Sequence, residues 1–206
     1  MFIYAETALH HEGNFDYLLK LIDCAEESGA SGVKFQVTIN QDEVMSTRHS
    51  IYDMCKKMLL SEKEWLEIFK YTRNKNLKII LMPCDQKTMH CVLEKKFNAD
   101  FLDLHSISFY DIDLMSLIKN SKLPLILAIG GRTGIELEKK FEYFGNQIYC
   151  IMVGFQSFPT KFTDINIEKV NTLKKLYPNT KIGYADHTSF DDNDMEENNI
   201  LALKLG

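Results

Sequence analysis

Apolar residues in this 206-residue chain come in two alternating patterns: short continuous runs, and stretches where they recur every three or four positions. The runs predict strands at Phe2–Ala5, Val33–Val37, Lys78–Met82, Phe101–Leu104, Pro124–Ala128, Ile148–Val153 and Lys181–Tyr184, each too short for an ordinary helix. The periodic stretches predict helices. Leu18, Leu19, Ile22 and Ala25 mark one that closes at Gly29. Trp65, Ile68, Phe69 and Tyr71 mark another. Ahead of it, Ser61 and Glu64 form a capping box, because each can satisfy the other's orphan amide. Asp85 is placed to cap a helix running to Lys96. Others are predicted around Leu114–Ile118 and over Gly134–Phe144, Asn166–Leu176 and Asp194–Leu205. Residues 38–60 are a long connection with an amphipathic piece near Ile51–Leu60.

Strands alternating with helices argue for a parallel sheet with both faces covered. No linker rich in Pro, Gly and Ser interrupts the series, so one domain over 1–206 is expected. The expected fold class is α/β, a TIM-type (β/α)8 barrel lacking its eighth strand–helix unit. Seven parallel strands leave two unpaired edges, which a homo-oligomer or a partner chain would cover. An open doubly wound sheet is the alternative, but no early Gly-rich phosphate loop supports it.

Composition narrows the function classes. Hydrophobic residues make up 45% and charged residues 26%, as in ordinary globular domains. The net charge of −5 and scattered basic residues argue against nucleic acid as a partner. No run approaches the roughly 18 apolar residues of a membrane helix, and Met1–Glu6 lacks the basic start of a signal peptide. Five cysteines without a CxxC pair read as reduced thiols, mostly core filler, in a cytoplasmic protein.

Several residue groups carry candidate chemistry. Gly183-Tyr184-Ala185-Asp186-His187-Thr188 puts a carboxylate, an imidazole and a hydroxyl at the tip of the last predicted strand, where barrels place their chemistry. Lys34 is the leading basic candidate. A lysine there could form a Schiff base, as class I aldolases do, or simply pair with Glu6 or Asp186. Gly130-Gly131-Arg132-Thr133-Gly134 reads either as an anion cradle at a helix start, helped by Arg132, or as a plain tight turn. His10 and His11 are adjacent, so in a strand at most one faces a site. His105 is a possible inward-facing ligand, and His49 and His90 read as surface residues. Asp191-Asp192-Asn193-Asp194 lacks the spacing of a calcium loop and reads as a solvated cap for the last helix.

Four segments carry a family resemblance, in order along the chain. They are Ala5-Glu6-Thr7-Ala8-Leu9-His10-His11-Glu12-Gly13; Leu21 to Ala25 followed by Gly29-Ala30-Ser31-Gly32-Val33-Lys34-Phe35-Gln36; Ser157-Phe158-Pro159-Thr160 with Asp164; and Ile182 to Thr188. Together they resemble the N-acetylneuraminate (sialic acid) synthase family, with its spore-coat polysaccharide and legionaminate or pseudaminate relatives. The resemblance implies an aldol-type condensation. Phosphoenolpyruvate would add to the aldehyde of an N-acyl hexosamine, giving a nine-carbon keto acid and phosphate. It implies a divalent metal, manganese or magnesium, held by His187 as a Lewis acid on the aldehyde oxygen. Glu6 would be the acid beside the aldehyde, Lys34 would bind the donor and Asp186 would orient its neighbours. Gln36 and Phe158 would contact the sugar, with Gln156 in place of an asparagine, and Ser106 would bind phosphate.

The chain also departs from the family pattern. Ala185, Leu127-Ala128-Ile129-Gly130 and Leu81-Met82-Pro83 stand where the family carries hydroxyls. Asp103 stands where a second lysine is expected, and Ser108 where a glutamate is. The second metal histidine of an eighth strand and an antifreeze-like C-terminal domain are expected to be missing. Each lost charge-assisted contact to phosphate would cost roughly 1.5–3 kcal/mol. A second reading follows: a barrel that has lost its donor site and binds a sugar or a partner chain without catalysis.

Overall fold

The computed structural model describes residues 1–154, 157–161, 164–189, 191 and 195–205. They form two compact units, Met1–Asp103 with Tyr110–Leu123, and Leu104–Phe109 with Pro124–Gly206. Within each unit the strands are parallel and follow chain order.

The first unit is built on β1 (Tyr4–Glu6), β2 (Gly32–Val37), β3 (Lys78–Pro83) and β4, which opens at Phe101 and closes at Leu104. Register sets Glu6 beside Lys34, and Gln36 beside Met82. Gly32 is required by close packing, since a Cβ there would lie 2.7 Å from the Lys78 carbonyl oxygen. The helices are α1 (Phe15–Glu27), α2 (Gln41–Val44), α3 (Tyr52–Lys57), α4 (Glu62–Asn74), α5 (Gln86–Leu93) and α6 (Ile112–Ser121). The Ser61–Glu64 capping box opens α4 as predicted, and Asp85 caps α5. Trp65, Ile68 and Phe69 of α4 are buried. Trp65 and Phe69 meet Phe35 of β2 edge-on, with ring centroids 6.0 and 5.7 Å away. Alternation along a strand then puts Lys34 and Gln36 on the opposite face of β2.

Three local expectations are corrected. Helix α5 stops at Leu93, not at Lys96. Lys95 is left-handed (φ 60°), and the amides of Lys96 and Phe97 both turn back to the Cys91 carbonyl. That turn drives Phe97 into the core against Phe69, at 5.1 Å. The piece expected near Ile51–Leu60 is the short helix α3, but the connection 38–60 also carries α2, which was not expected. His10 and His11 lie in consecutive turns with positive φ at Ala8, Glu12 and Gly13, so strand alternation does not apply to them.

The second unit carries β5 (Leu125–Ala128), β6 (Ile148–Val153) and β7 (Lys181–Tyr184), with α7 (Gly134–Phe144), α8 (Glu168–Leu176) and α9 (Met195–Leu205). Thr133 and Glu136 form a second capping box at the head of α7. Phe141 and Tyr177 stack at 4.6 Å. All five cysteines are free; Cys91 and Cys150 are buried, Cys55 and Cys84 partly so, and Cys24 is exposed. Among the described residues no helix is long and apolar enough to cross a membrane.

Candidate functional site

In the first unit, β1, β2 and β4 bring four polar side chains together. Lys34 Nζ lies 3.2 Å from Glu6 Oε2 and 3.1 Å from Asp103 Oδ2. Gln36 Nε2 donates to Glu6 Oε1 at 2.8 Å. The ammonium and the Asp103 carboxylate are almost wholly excluded from solvent, at 6% and 0% side-chain exposure, whereas Glu6 keeps 31%. Burial alone would pull the Lys34 pKa down. The charges of Asp103 and Glu6 and their hydrogen bonds outweigh it, so the lysine sits above its ordinary range and stays protonated. The Cys84 thiol feels the same charges. Burial pushes it up to about 11, which keeps it an unreactive thiol at neutral pH.

In the second unit the residues after β7 form a tight polar turn. Asp186 Oδ1 accepts from the Thr188 amide at 3.0 Å and the Thr188 hydroxyl at 2.7 Å. Its other oxygen accepts from Asn199 of α9 at 2.9 Å. Burial opposes the charged form, but these bonds and the neighbouring His187 prevail and lower the Asp186 pKa. Tyr184 is pushed up to about 12 by burial and by the Asp186 charge. His187 Nδ1 lies 3.2 Å from the Ala185 carbonyl oxygen. A carbonyl only accepts, so Nδ1 carries a proton, and in the neutral ring Nε2 then presents a lone pair. The backbone around the ring is pinned as well, with the Thr160 amide on the His187 carbonyl at 2.7 Å. Gly154 lets the Ala185 backbone approach closely; a Cβ there would sit 2.9 Å from the Ala185 oxygen.

The tautomer of His187 suits a metal ligand. Yet among the described residues no group of three or more His, Cys, Asp or Glu could hold an ion. Among the described residues, His187 is therefore a candidate donor that is not part of a ready-made group of three. His11 is committed elsewhere: its Nδ1 accepts from the Gly13 amide at 3.1 Å, and its ring meets Trp65 edge-on at 6.0 Å. His105 heads a short 3-10 turn, with Nδ1 accepting from the Ile107 amide at 3.4 Å.

Also in the second unit, Arg132 donates to the Ser106 carbonyl at 2.7 Å, lies 3.5 Å from Glu136 and covers the Phe109 ring at 5.0 Å. Its own amide closes a turn on Ile129 at 3.0 Å. The Thr133 and Glu136 amides are taken by the capping box. Ser106 is buried, with its hydroxyl 3.4 Å from His105 Nδ1. Phe158 is exposed, while Ser157 and Thr160 bond to each other. Gln156 lies outside the described residues, as do three of the four positions read as a cap at 191–194.

Asp103 is the residue whose role sequence reasoning missed. It was visible only as a charge opposite to the one expected; its partner, Lys34, is 69 positions away in the chain, at a distance no motif spans.

Comparisons with known proteins agree with the motifs. The NeuB family profile matches residues 21–206. A protein of Methanocaldococcus jannaschii without a described activity is 29% identical over 194 residues, covering 91% of this chain and 55% of its own length. A pseudaminic acid synthase of Campylobacter jejuni is 27% identical over 204 residues, covering 91% of this chain and 59% of its own length. The chain thus spans little more than half the length of the curated relatives it matches. The crystal structure of an N-acetylneuraminic acid (sialic acid) synthetase from Leptospira borgpetersenii, in complex with citrate, superposes with a TM-score of 0.82 at 27% identity. That match covers 91% of this chain and 65% of the other. Seven strand positions alternating with helices, in the order of those synthases, make the fold class α/β of the TIM-barrel type, and the chain belongs to the NeuB family.

Proposed function

We propose that the chain is a nonulosonic acid synthase-like protein. Its reaction would condense phosphoenolpyruvate with the aldehyde of an N-acyl hexosamine, giving a nine-carbon keto sugar acid and phosphate. The observation that carries this reading is the Glu6–Lys34–Gln36 constellation, three motif residues brought within bonding distance on adjacent strands. Glu6 is the solvent-reaching member. It accepts from an ammonium and an amide at once, so its carboxylate is fixed in direction. Such a group can take a proton from the water that completes the reaction, or order a sugar hydroxyl beside the aldehyde. His187 and Asp186 fit the same family roles, with Asp186 holding the turn. Ser106, Arg132, Gln156 and Phe158 remain substrate-contact proposals, and manganese or magnesium the proposed ion. A cytoplasmic setting suits the free thiols.

The test is an assay of phosphate release and keto-acid mass with phosphoenolpyruvate and a panel of N-acyl mannosamines, run with chelator and then with added manganese or magnesium. Product in the wild type, reduced at least about a hundredfold by Glu6→Gln, is the expected result. Equal turnover in Glu6→Gln would remove the reading.

One observation favours a second reading. Lys34 is held by a second carboxylate, Asp103, at 3.1 Å, which favours a non-catalytic sugar-binding relative. Binding of an N-acyl mannosamine with no turnover under any metal condition would select it.

A further inference from the structure

We propose that Asn199 is a positioning residue: from α9 it fixes the Asp186 carboxylate and, through it, the turn that presents the His187 imidazole. Three observations carry this. First, Asp186 is bonded at both oxygens. Oδ1 accepts from the Thr188 amide at 3.0 Å and the Thr188 hydroxyl at 2.7 Å, and Oδ2 accepts from Asn199 Nδ2 at 2.9 Å. A carboxylate held at one oxygen can turn about its Cβ–Cγ bond, a soft torsion; held at both, its plane is set. Second, the bonds from Thr188 close a loop around His187. The Thr160 amide holds the His187 carbonyl at 2.7 Å, and the ring Nδ1 reaches the Ala185 carbonyl at 3.2 Å. The direction of the ring therefore depends on the backbone on either side of it. Third, Asn199 is an anchor from outside this segment. The Tyr184 hydroxyl also bonds to Asp186, and Thr188 lies two residues on, but both belong to the stretch being positioned and move with it. Asn199 lies 13 positions on, half-buried on a helix that packs against α8.

The chemical consequence lies in the bond at Nδ1. While that nitrogen donates to the Ala185 carbonyl, Nε2 of the neutral ring is the free acceptor. If the turn loosens, Nδ1 loses its carbonyl and water offers an acceptor to either nitrogen. The other tautomer, with the proton on Nε2, then becomes populated. Asn199 thus selects, through Asp186, which nitrogen of His187 carries the lone pair. It also ties the helix to the turn, so that a displacement of α9 is felt at the imidazole. The inference rests on the synthase reading only in treating His187 as a working group; the tautomer itself needs no substrate, ion or turnover.

The experiment is long-range proton–nitrogen NMR of the chain carrying isotope-labelled histidine, at about pH 8.5, roughly two units above the ordinary imidazole pKa, so that the rings are neutral. The chain has six histidines, and His187→Gln identifies the signals of this one. Wild type is compared with Asn199→Ala, Asn199→Asp and the exchange Asp186→Asn/Asn199→Asp. In Asn199→Asp two carboxylates face each other. In the exchange, the amide placed at 186 keeps an oxygen for Thr188 and donates its nitrogen to the carboxylate placed at 199, so the tie returns with its polarity reversed. The expected result is a dominant Nδ1–H form in the wild type and a return to that ratio in the exchange. In both single variants the Nε2–H share should rise about fivefold, as befits the loss of one ordinary hydrogen bond. Asn199→Ser stands in for either single variant that fails to fold, as judged by circular dichroism. A wild type with Nε2–H dominant overturns the proposal without any variant. So does a folded single variant that keeps the wild-type ratio, whatever its melting temperature, or a folded exchange that does not restore it. The spectrum is read on the protein alone, so a silent synthase assay and a failure of this proposal produce different results.

Discussion

The two polar groups of this molecule are held by opposite means. Around Lys34, one ammonium pairs with two carboxylates from neighbouring strands, the ammonium and Asp103 almost wholly buried. Around Asp186, a charge is held by the amide and hydroxyl of Thr188, two residues on, and by one side-chain amide from α9. The first arrangement exists only when the strands are assembled. The second is largely a property of its own hexapeptide. A buried ion cluster is costly to break from either side, because whatever remains is an uncompensated charge. A locally bonded turn, half open to water, loses only the bonds that are removed.

The sharpest way to break that contrast is at Lys34. Lys34→Met should cost about 3–5 kcal/mol in urea-unfolding free energy, because it removes one partner of a buried ion pair with Asp103. Adding Asp103→Asn should return most of that loss, since the remaining carboxylate, Glu6, reaches solvent. Costs that simply add would show that the pair is not coupled.

A smaller effect is expected at the turn. Asp186→Ala removes acceptors for Thr188 and Asn199 and should cost about 1–2 kcal/mol, reduced by partial solvent access. Asp186→Asn should cost less at neutral pH, and it should also flatten the acid limb of stability. The folded Asp186 has a lowered pKa, so its contribution is present above the ordinary carboxylate pKa and is lost as pH falls through the folded value. Wild type and variant should therefore converge in urea midpoint toward low pH; parallel curves would count against the assignment.

The smallest effect lies at His11. Burial lowers its pKa from the ordinary 6.5. Its folded form resists a proton that the unfolded chain takes up, so stability should fall by a fraction of a kcal/mol as pH drops from about 7 toward the folded value. His11→Gln should remove that slope.

What the sequence disclosed follows the same division. Strands and helices were legible because apolar spacing is local, and the Ser61 and Asp85 caps because their partners lie three residues on. The Gly183–Thr188 stretch was legible as a polar strand tip, but the bonds from Thr188 to Asp186 within it were not foreseen. The early stop of α5 was not, because it depends on Phe97 finding Phe69 across the core. The pairing of Lys34 with Asp103 was not legible either. Glu6 was a foreseeable partner through register, but the second carboxylate arrives from β4, two strands over from β2, and only the assembled sheet brings it there.

The aromatic cluster beneath β2 has an optical consequence. Trp65 is the one tryptophan of the chain, and it is 2% exposed, between His11, Phe35 and Phe69. Its indole nitrogen has no hydrogen-bond partner and no contact with solvent. Its fluorescence should therefore be blue-shifted, and protonation of His11 at the ring edge should quench it. All tryptophan emission comes from the first unit, so an unfolding trace followed by this light records that unit and is blind to the turn that carries His187.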